Sequence, residues 1–218
     1  MPRLTIPISD EEIRDLHVGD TVYLNGIIVT GRDAAHKFMI ESFIRNPVSS
    51  EEAELYGELQ RLLNGGIIYH CGPVVKKHED GSYAFVAAGP TTSIREEVYE
   101  PEVIAHFNLK GVIGKGGMGP NTLRACREQP AVYFHAIGGA ASLIAQSVKE
   151  VLTVYKLEFG VPEAMWVIRV EDFPVVVTMD SHDASIHETV EAASQARDRK
   201  STRLNSSHSQ QSRMPSSA

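Results

Sequence analysis

Residues 89–119 read GPTTSIREEVYEPEVIAHFNLKGVIGKGGMG, and a further glycine turn, AIGGAAS at 136–142, has the same strand-to-helix character. Two short apolar segments end in glycine with small hydroxyl or basic residues, and each end precedes a segment able to start a helix. Such turns aim backbone N–H groups, hydroxyls and cations at one place, which suits an anion. Because Arg95 and Lys115 add positive charge, the stretch predicts a binding site for a small acid.

Length and composition describe an ordinary globular chain. Its 218 residues suffice for one domain with a full hydrophobic core. A formal net charge of -7 argues against nucleic acid as the main partner. No apolar run approaches the roughly 20 residues that span a bilayer, and residues 1–5 lack a secretion signal. We therefore expect a cytoplasmic protein that binds neither nucleic acid nor membrane.

The two cysteines, Cys71 and Cys126, are too few for a disulfide framework, and their spacing matches no metal motif. We expect both to be reduced thiols. The histidines His36, His70, His135 and His182 are scattered, and no pair among these four has zinc-ligand spacing. Each is expected to be a packed or surface histidine, so the sequence predicts no metal site in this chain.

Outward from the opening stretch, strands cluster in the first half and alternate with helices in the second. This order favours an α/β fold with a mixed sheet over a doubly wound sheet. The predicted strands are 21–30 (a hairpin or a kinked strand), 67–71, 83–88, 111–114, 131–137, 166–170 and 175–179. The predicted helices are one capped by Ser9, 34–44, 50–63, 94–107 (interrupted at Pro101), one from Pro120, 140–155 and 186–199.

The end of the chain differs in composition from the rest. Residues 201–218 are Ser-rich, nearly devoid of apolar residues, and resemble translated adapter sequence. We expect residues 1–200 to form one domain and 201–218 to be a disordered, non-native tail.

The segment GKGGMG at 114–119 matches the dinucleotide fingerprint, but the acidic residue expected about 20 positions later is absent. Two other interpretations stay open. The glycines either serve backbone freedom alone, or they form a small-anion cradle with Lys115.

Two arginines follow strand ends and are candidates for gripping a carboxylate. A guanidinium group can hold a carboxylate with two parallel hydrogen bonds. The alternative for Arg32 is an ordinary surface pair with Asp33 or Glu41. The alternative for Arg95 is a pair with Glu96 or Glu97.

Thr91 is a candidate catalytic residue, but residues 91–93 would equally serve as helix caps. A threonine hydroxyl is a weak base unless a neighbour removes its proton, and no His or carboxylate adjoins Thr91 in sequence.

Five motifs taken together resemble the β subunit, or C-terminal domain, of the iron–sulfur class I fumarases and L-tartrate dehydratases. The resemblance spans residues 4–187. The motifs are TGRDAAHK at 30–37, GPTTSIR at 89–95, GKGGMG at 114–119, HAIGGAA at 135–141 and MDSH at 179–182.

The resemblance implies a swivelling β/β/α domain that pairs with an α subunit, in an α2β2 assembly. In that family the α part supplies three cysteines to a four-iron–four-sulfur cluster whose open iron binds the substrate. The resemblance therefore assigns the cluster to the partner and no metal ligand to this chain.

The family's substrate contacts fall on four positions of this sequence. The resemblance implies that Arg32 and Arg95 each bind a carboxylate of a small dicarboxylate and that Lys115 contacts the substrate. It implies that Thr91 moves the C3 proton with an aspartate of the α subunit. Glu96 and Glu97 stand where relatives often have methionine, and we expect them to add negative charge beside the carboxylate-binding arginines.

The leading hypothesis is the β subunit of a two-subunit hydro-lyase that interconverts fumarate and (S)-malate and is active only with its α subunit. The alternatives are an L-tartrate dehydratase β subunit and, from another class, a non-catalytic dicarboxylate-binding module.

Overall fold

The computed structural model describes residues 1–136 and 141–187. Met1–Ser185 forms one compact unit, and a second unit is assigned to Ile186–Ala218. Several predictions fall outside the described residues: the turn at 137–140, all but the first two residues of the helix at 186–199, and the tail at 201–218. The division into a 1–200 domain and a 201–218 tail therefore stays a prediction.

The described chain is a mixed α/β fold, as the sequence predicts. The strands are β1 (Arg3–Thr5), β2 (Thr21–Thr30), β3 (Ile67–Tyr69), β4 (Val74–Lys77), β5 (Tyr83–Ala87), β6 (Gly111–Gly114), β7 (Val132–His135), β8 (Val148–Tyr155) and β9 (Met165–Met179). The helices are α1 (Asp10–Arg14), α2 (Asp33–Met39), α3 (Ala53–Leu63), α4 (Glu100–Phe107), α5 (Pro120–Glu128) and α6 (Ala141–Ser147). A π-helical turn, Ile40–Ile44, continues α2, and a 3-10 helix, Ser93–Val98, precedes α4.

The sheet runs in the order β1-β2-β3-β6-β7-β9-β8, with an additional pairing between β2 and β9. Strands β2, β3, β6 and β7 are parallel neighbours, whereas β9 runs antiparallel to β2, β7 and β8. The β2–β9 pairing closes five strands into a circuit. The parallel order means that β2, β3, β6 and β7 all end at the same edge.

Alternation along the strands divides the core into two clusters. Ile28, Ile113 and Phe134 belong to one cluster, and their sequence neighbours Val29, Val112 and Tyr133 belong to the other. Successive strand residues point to opposite faces, so both faces of these strands are buried. The second cluster also contains buried residues of α2, α3, α4 and α5.

The helix predicted over 140–155 is wrong in its second half. Helix α6 ends at Ser147, and Val148–Tyr155 is strand β8, which pairs antiparallel with β9. The apolar spacing of this segment fits either structure. Its β-branched residues, Val148, Val151, Thr153 and Val154, favour the extended form once β9 offers an edge.

The long strands also differ from prediction. Residues 166–170 and 175–179 are parts of the single strand β9. Residues 21–30 form a single strand with a bulge between Leu24 and Gly26, which excludes the hairpin and agrees with the kinked strand. Strand β4, which pairs with β5, is absent from the sequence-based prediction.

The local signals for helix starts are confirmed at two positions. Ser9 and Glu12 form a reciprocal capping box at α1, and Pro120 opens α5. Pro101 lies in the first turn of α4, where a missing N–H costs nothing, and the 3-10 helix ends before it. Within the described residues, no helix is both long and apolar enough to cross a membrane.

Candidate active site

The site is built where neighbouring parallel strands end. Strand β2 leads into Gly31 and Arg32, β3 leads into His70 and Cys71, and β6 leads into Lys115. The carboxyl ends of parallel strands meet at one edge of a sheet, where ligands commonly bind. This edge therefore gathers side chains from segments far apart in sequence.

The segment around Thr91 is fixed to this edge by backbone hydrogen bonds. Thr91 N donates to His70 O at 2.7 Å, Lys115 N donates to Thr91 O at 3.2 Å, and Ser93 N donates to Lys115 O at 3.1 Å. Gly114 allows this approach, because a Cβ at that position would collide with Ser93 Oγ. Thr91 and Lys115 are consequently neighbours on adjoining backbones.

Arg32 begins α2 and is held by two groups of one loop. Its Nη2 lies 3.1 Å from Glu163 Oε1, and its Nη1 donates to Pro162 O at 3.4 Å. Its Nε is buried and has no hydrogen-bond partner within the described parts of the chain. The predicted surface pair with Asp33 or Glu41 is therefore wrong. An unpaired N–H on an oriented guanidinium suits an anion from outside the chain.

Arg95, on the 3-10 helix, reaches across to the Arg32 segment. Its Nη2 lies 3.0 Å from Asp33 Oδ2, and both side chains are about half exposed. The alternative partners Glu96 and Glu97 are not the ones used. Because Asp33 adjoins Arg32 in sequence, this ion pair brings the two arginine segments together.

Lys115 is exposed and forms no ion pair with a carboxylate of residues 1–136 or 141–187. The structure thus brings Arg32, Thr91, Arg95 and Lys115 to one edge of the sheet. Two of the three cations are held by carboxylates of the chain itself.

The side chain of Thr91 does not cap a helix. The following helix starts at Ser93 after Thr92, and it has no side-chain cap. Thr91 Oγ1 instead donates to His70 O at 3.0 Å. Because its proton is used this way, the lone pairs of Thr91 Oγ1 stay available as hydrogen-bond acceptors.

Neither Glu96 nor Glu97 pairs with Arg32 or Arg95, and the expectation that they add negative charge beside these arginines stays a prediction. The Glu97 carboxylate accepts hydrogen bonds from Gly119 N at 2.8 Å, Asn121 N at 2.8 Å and Thr122 Oγ1 at 2.6 Å. This carboxylate therefore caps the N-terminus of α5. Glu96 is fully buried, and burial raises the pKa of its carboxyl group.

Three buried polar residues behind these turns were missed as a group by sequence reasoning. Glu100 Oε2 lies 3.0 Å from Nε2 of His36 and 3.0 Å from Nε2 of His70. All three side chains are fully buried. Their sequence separations, 34 and 30 residues, match no local motif, so only the strand order could have revealed the cluster.

The motif MDSH at 179–182 lies elsewhere. Strand β9 is antiparallel to β7, and Met179 pairs with Tyr133 near the start of β7. Asp180 there accepts backbone hydrogen bonds from Val18, His182 and Ala184, and the His182 ring stacks on His17. This motif closes a turn at the opposite end from Arg32.

The two cysteines do not suit an iron–sulfur cluster. Cys71 and Cys126 are free, fully buried and carried by different elements. Burial raises the pKa of the Cys71 thiol to about 12 and also raises that of Cys126. A cluster of this type takes deprotonated thiolates, usually four. The residues of this chain therefore do not fit the cluster that the resemblance implies.

Comparison with known proteins gives a consistent result. The family model described as "Fumarase C-terminus" matches residues 3–190. A protein of Geobacillus stearothermophilus named "Putative fumarate hydratase class I" is 51% identical over 191 residues, 88% of this chain but 34% of the relative. The chain thus spans about a third of that relative's length.

Two relatives of similar length to this chain carry a different name. The "L(+)-tartrate dehydratase subunit beta" of Escherichia coli (strain K12) is 41% identical over 180 residues, covering 82% of this chain and 83% of the relative. The "Putative L(+)-tartrate dehydratase subunit beta" of Methanocaldococcus jannaschii is 44% identical over 185 residues, covering 84% and 89%.

Proposed function

The chain belongs to the fumarase C-terminus family, and from that premise we propose that it is the β subunit of a hydro-lyase acting on a small dicarboxylate. The reaction proposed is the reversible hydration of fumarate to (S)-malate. The observation that carries the proposal is the meeting of Arg32, Thr91, Arg95 and Lys115 at one sheet edge.

The two arginines are proposed to bind the two carboxylates of the substrate. Arg32 offers a buried, unpaired Nε–H. Arg95 pairs with Asp33, and both side chains of that ion pair are about half exposed. A substrate carboxylate would replace Asp33 on Arg95 and add to the contacts of Arg32. Lys115 contributes a third positive charge. Cations fixed in this way favour the transition state, in which negative charge builds up on the carboxylate.

Thr91 is proposed to carry the proton at C3. In dehydration the C3–H bond breaks, its electron pair forms the double bond, and hydroxide leaves C2. Hydration reverses both changes. The Thr91 oxygen would take the C3 proton only as its own proton leaves its hydrogen bond with the His70 carbonyl, since a neutral hydroxyl is too weak a base. An aspartate of the α subunit would take the proton onward, as the family resemblance suggests.

The remaining parts are proposed to come from a partner. A four-iron–four-sulfur cluster belongs on the α subunit in this proposal, because the buried thiols of this chain do not suit it. An α2β2 assembly and a cytoplasmic location complete the proposal. Support for a partner comes from relatives named as β subunits.

Anaerobic reconstitution with the cognate α subunit tests this function. We expect neither chain alone to turn over fumarate, malate or tartrate, and the mixture to do so until oxygen is admitted. Conversion of L-tartrate with no action on fumarate would favour the alternative of an L-tartrate dehydratase β subunit. Tight malate binding by this chain alone, with an inactive mixture, would favour a non-catalytic binding module.

A further inference from the structure

His36, His70 and Glu100, here called the buried triad, join the two segments that carry the proposed substrate contacts. His36 lies on α2, four residues after Arg32, and His70 follows β3. Glu100 opens α4. Its Oε2 atom lies 3.0 Å from an imidazole Nε2 on each side. All three side chains are fully buried, so water cannot mediate these contacts.

The partners of the two ring nitrogens of His36 indicate that both nitrogens are protonated and that the ring carries a positive charge. Its Nδ1 lies 2.9 Å from Arg32 O, and a carbonyl only accepts, so Nδ1 carries a proton. Its Nε2 faces a carboxylate oxygen, which also has lone pairs only. Nε2 lies 3.0 Å from Glu100 Oε2, although the angles at this contact are not those of a hydrogen bond. Two lone pairs at that distance would repel each other, so a second proton on the ring makes the contact favourable.

Electrostatics agree with this count. Burial lowers the pKa of His36, but the charge of Glu100, 3.0 Å away, outweighs burial and raises the pKa. Burial would likewise raise the pKa of Glu100, but the charge and hydrogen bonds of His36 and then His70 lower it to about 2. Glu96 is the further carboxyl facing both rings, and its own pKa is raised by burial.

His70 completes a continuous chain of donors. With a neutral ring whose Nε2–H donates to Glu100, His70 Nδ1 accepts from Ser93 Oγ at 2.8 Å. Ser93 Oγ in turn accepts from the Tyr133 hydroxyl at 2.8 Å. The backbone carbonyl of His70 accepts both hydrogen bonds of Thr91, from N and from Oγ1.

We infer that the buried triad sets the position of Arg32 relative to Thr91: Glu100 binds His36 as an imidazolium and His70 as a donor, tying the two backbone segments together. The three are positioning residues, since their side chains are fully buried and act on the substrate only through Arg32 and Thr91. The inference deepens the proposed function and rests on it for its catalytic consequence.

The same atoms lie within 4.8 Å of one another, a spread that a metal ion could also attract. A proton accounts for them better. The 3.0 Å contact of His70 is an ordinary N–H···O hydrogen bond, and the 3.0 Å contact of His36 is an ion pair without hydrogen-bond angles. An imidazolium and a carboxylate cancel each other's charge without any added ion.

Nitrogen NMR of the full chain labelled with ¹⁵N-histidine tests the proton count without any partner. At pH 7.5 we expect both ring nitrogens of His36 to be protonated, and the Glu100→Gln variant to show one protonated nitrogen. A singly protonated His36 in the unmodified chain would overturn the inference. So would one equivalent of metal found by elemental analysis, with a chelator shifting the His36 signals.

Kinetics of the reconstituted enzyme test the positioning role. Because small displacements of reacting groups cost up to about 100-fold in rate, we expect Glu100→Gln to lower kcat/KM by about 10- to 100-fold. Glu102→Gln, an exposed residue of the same helix paired with Arg45, is the matched control and should leave kcat/KM unchanged. Both variants are compared at equal folded fraction, measured by thermal unfolding.

The NMR and the kinetic experiments distinguish a failure of this inference from a failure of the proposed function. Wild-type kcat/KM in folded Glu100→Gln would overturn the positioning role. If Glu100→Gln does not fold, the NMR spectrum of the unmodified chain still decides. If the unmodified chain mixed with its α subunit is inactive while His36 is doubly protonated, the proposed function is contradicted and the imidazolium is not.

Discussion

At the scale of single residues, the site depends on close approaches that leave no room for a side chain. A Cβ on Gly72 would lie 2.6 Å from Arg32 Nη1 and 3.2 Å from Pro162 Cβ. The guanidinium is the far end of a long side chain, whereas Pro162 is a ring joined to the backbone, so a methyl group there would displace the guanidinium from its contacts.

We predict that Gly72→Ala lowers kcat/KM of the reconstituted enzyme by about 10- to 100-fold, because the displaced guanidinium binds the substrate carboxylate poorly. Gly57→Ala is the control, since nothing lies within 4 Å of a Cβ there. The control should keep full activity and gain up to about 1 kcal/mol of stability as a helical glycine is replaced. Equal activity of both variants would contradict the described position of Arg32.

The buried thiols give a second prediction at this scale. Because Cys71 and Cys126 are fully buried with raised pKa values, a thiol reagent should label neither in the native chain. Two equivalents should react after denaturation. Rapid labelling of the native chain would contradict the conclusion that these cysteines are packed and unavailable to a cluster.

The stability of the chain at low pH gives a third prediction at this scale. A carboxyl group whose folded pKa is depressed contributes stability that is present above its unfolded value and lost as pH falls through its folded value. For Glu100 that window runs from 4.5 down to about 2. The free energy of unfolding of the unmodified chain should therefore fall more steeply across this window than that of Glu100→Gln. Parallel slopes in urea titrations would refute the ion pair.

At the scale of elements, helix α5 depends on a side chain from a distant segment. Its N-cap residue, Gly119, has no side chain to offer, and Glu97 accepts the free N–H groups instead. This carboxylate also interacts favourably with the helix dipole. The sequence showed Glu97 only as an extra charge, because its partner lies 22 residues away.

We predict that Glu97→Ala lowers the free energy of unfolding by about 1–2 kcal/mol, as the loss of a helix cap does. Glu128→Ala, at the other end of α5, is the matched control. A negative charge near a helix C-terminus is unfavourable, so its removal should be neutral or slightly stabilising. Equal losses in chemical denaturation of both variants would contradict the capping role.

Local pattern predicted most elements but failed where two structures fit one pattern. The capping box at Ser9 and the proline at position 120 predict where helices begin without knowledge of the tertiary structure. Residues 148–155 do not, because their apolar spacing suits a helix as well as a strand. The available edge of β9 decides between them, and that edge cannot be read from the segment itself.

At the scale of the whole molecule, the sequence reveals which residues matter but not how they meet. Motif resemblance identified Arg32, Thr91, Arg95 and Lys115, whereas their common edge follows from the parallel order β2-β3-β6. The partners of these residues, Glu163 for Arg32 and Asp33 for Arg95, were not predicted. Glu163 lies 131 residues from Arg32, so only the folded chain reveals this pair.

The most direct test of the account is kcat/KM of the reconstituted enzyme carrying Arg32→Ala or Arg95→Ala. Loss of a charged substrate contact costs on the order of 2–4 kcal/mol of transition-state binding, so each variant should lose about 30- to 1,000-fold. Arg45→Ala, which removes an exposed arginine paired with Glu102, should match the unmodified enzyme. Unchanged kcat/KM in both Arg32→Ala and Arg95→Ala would contradict the claim that this edge binds the substrate.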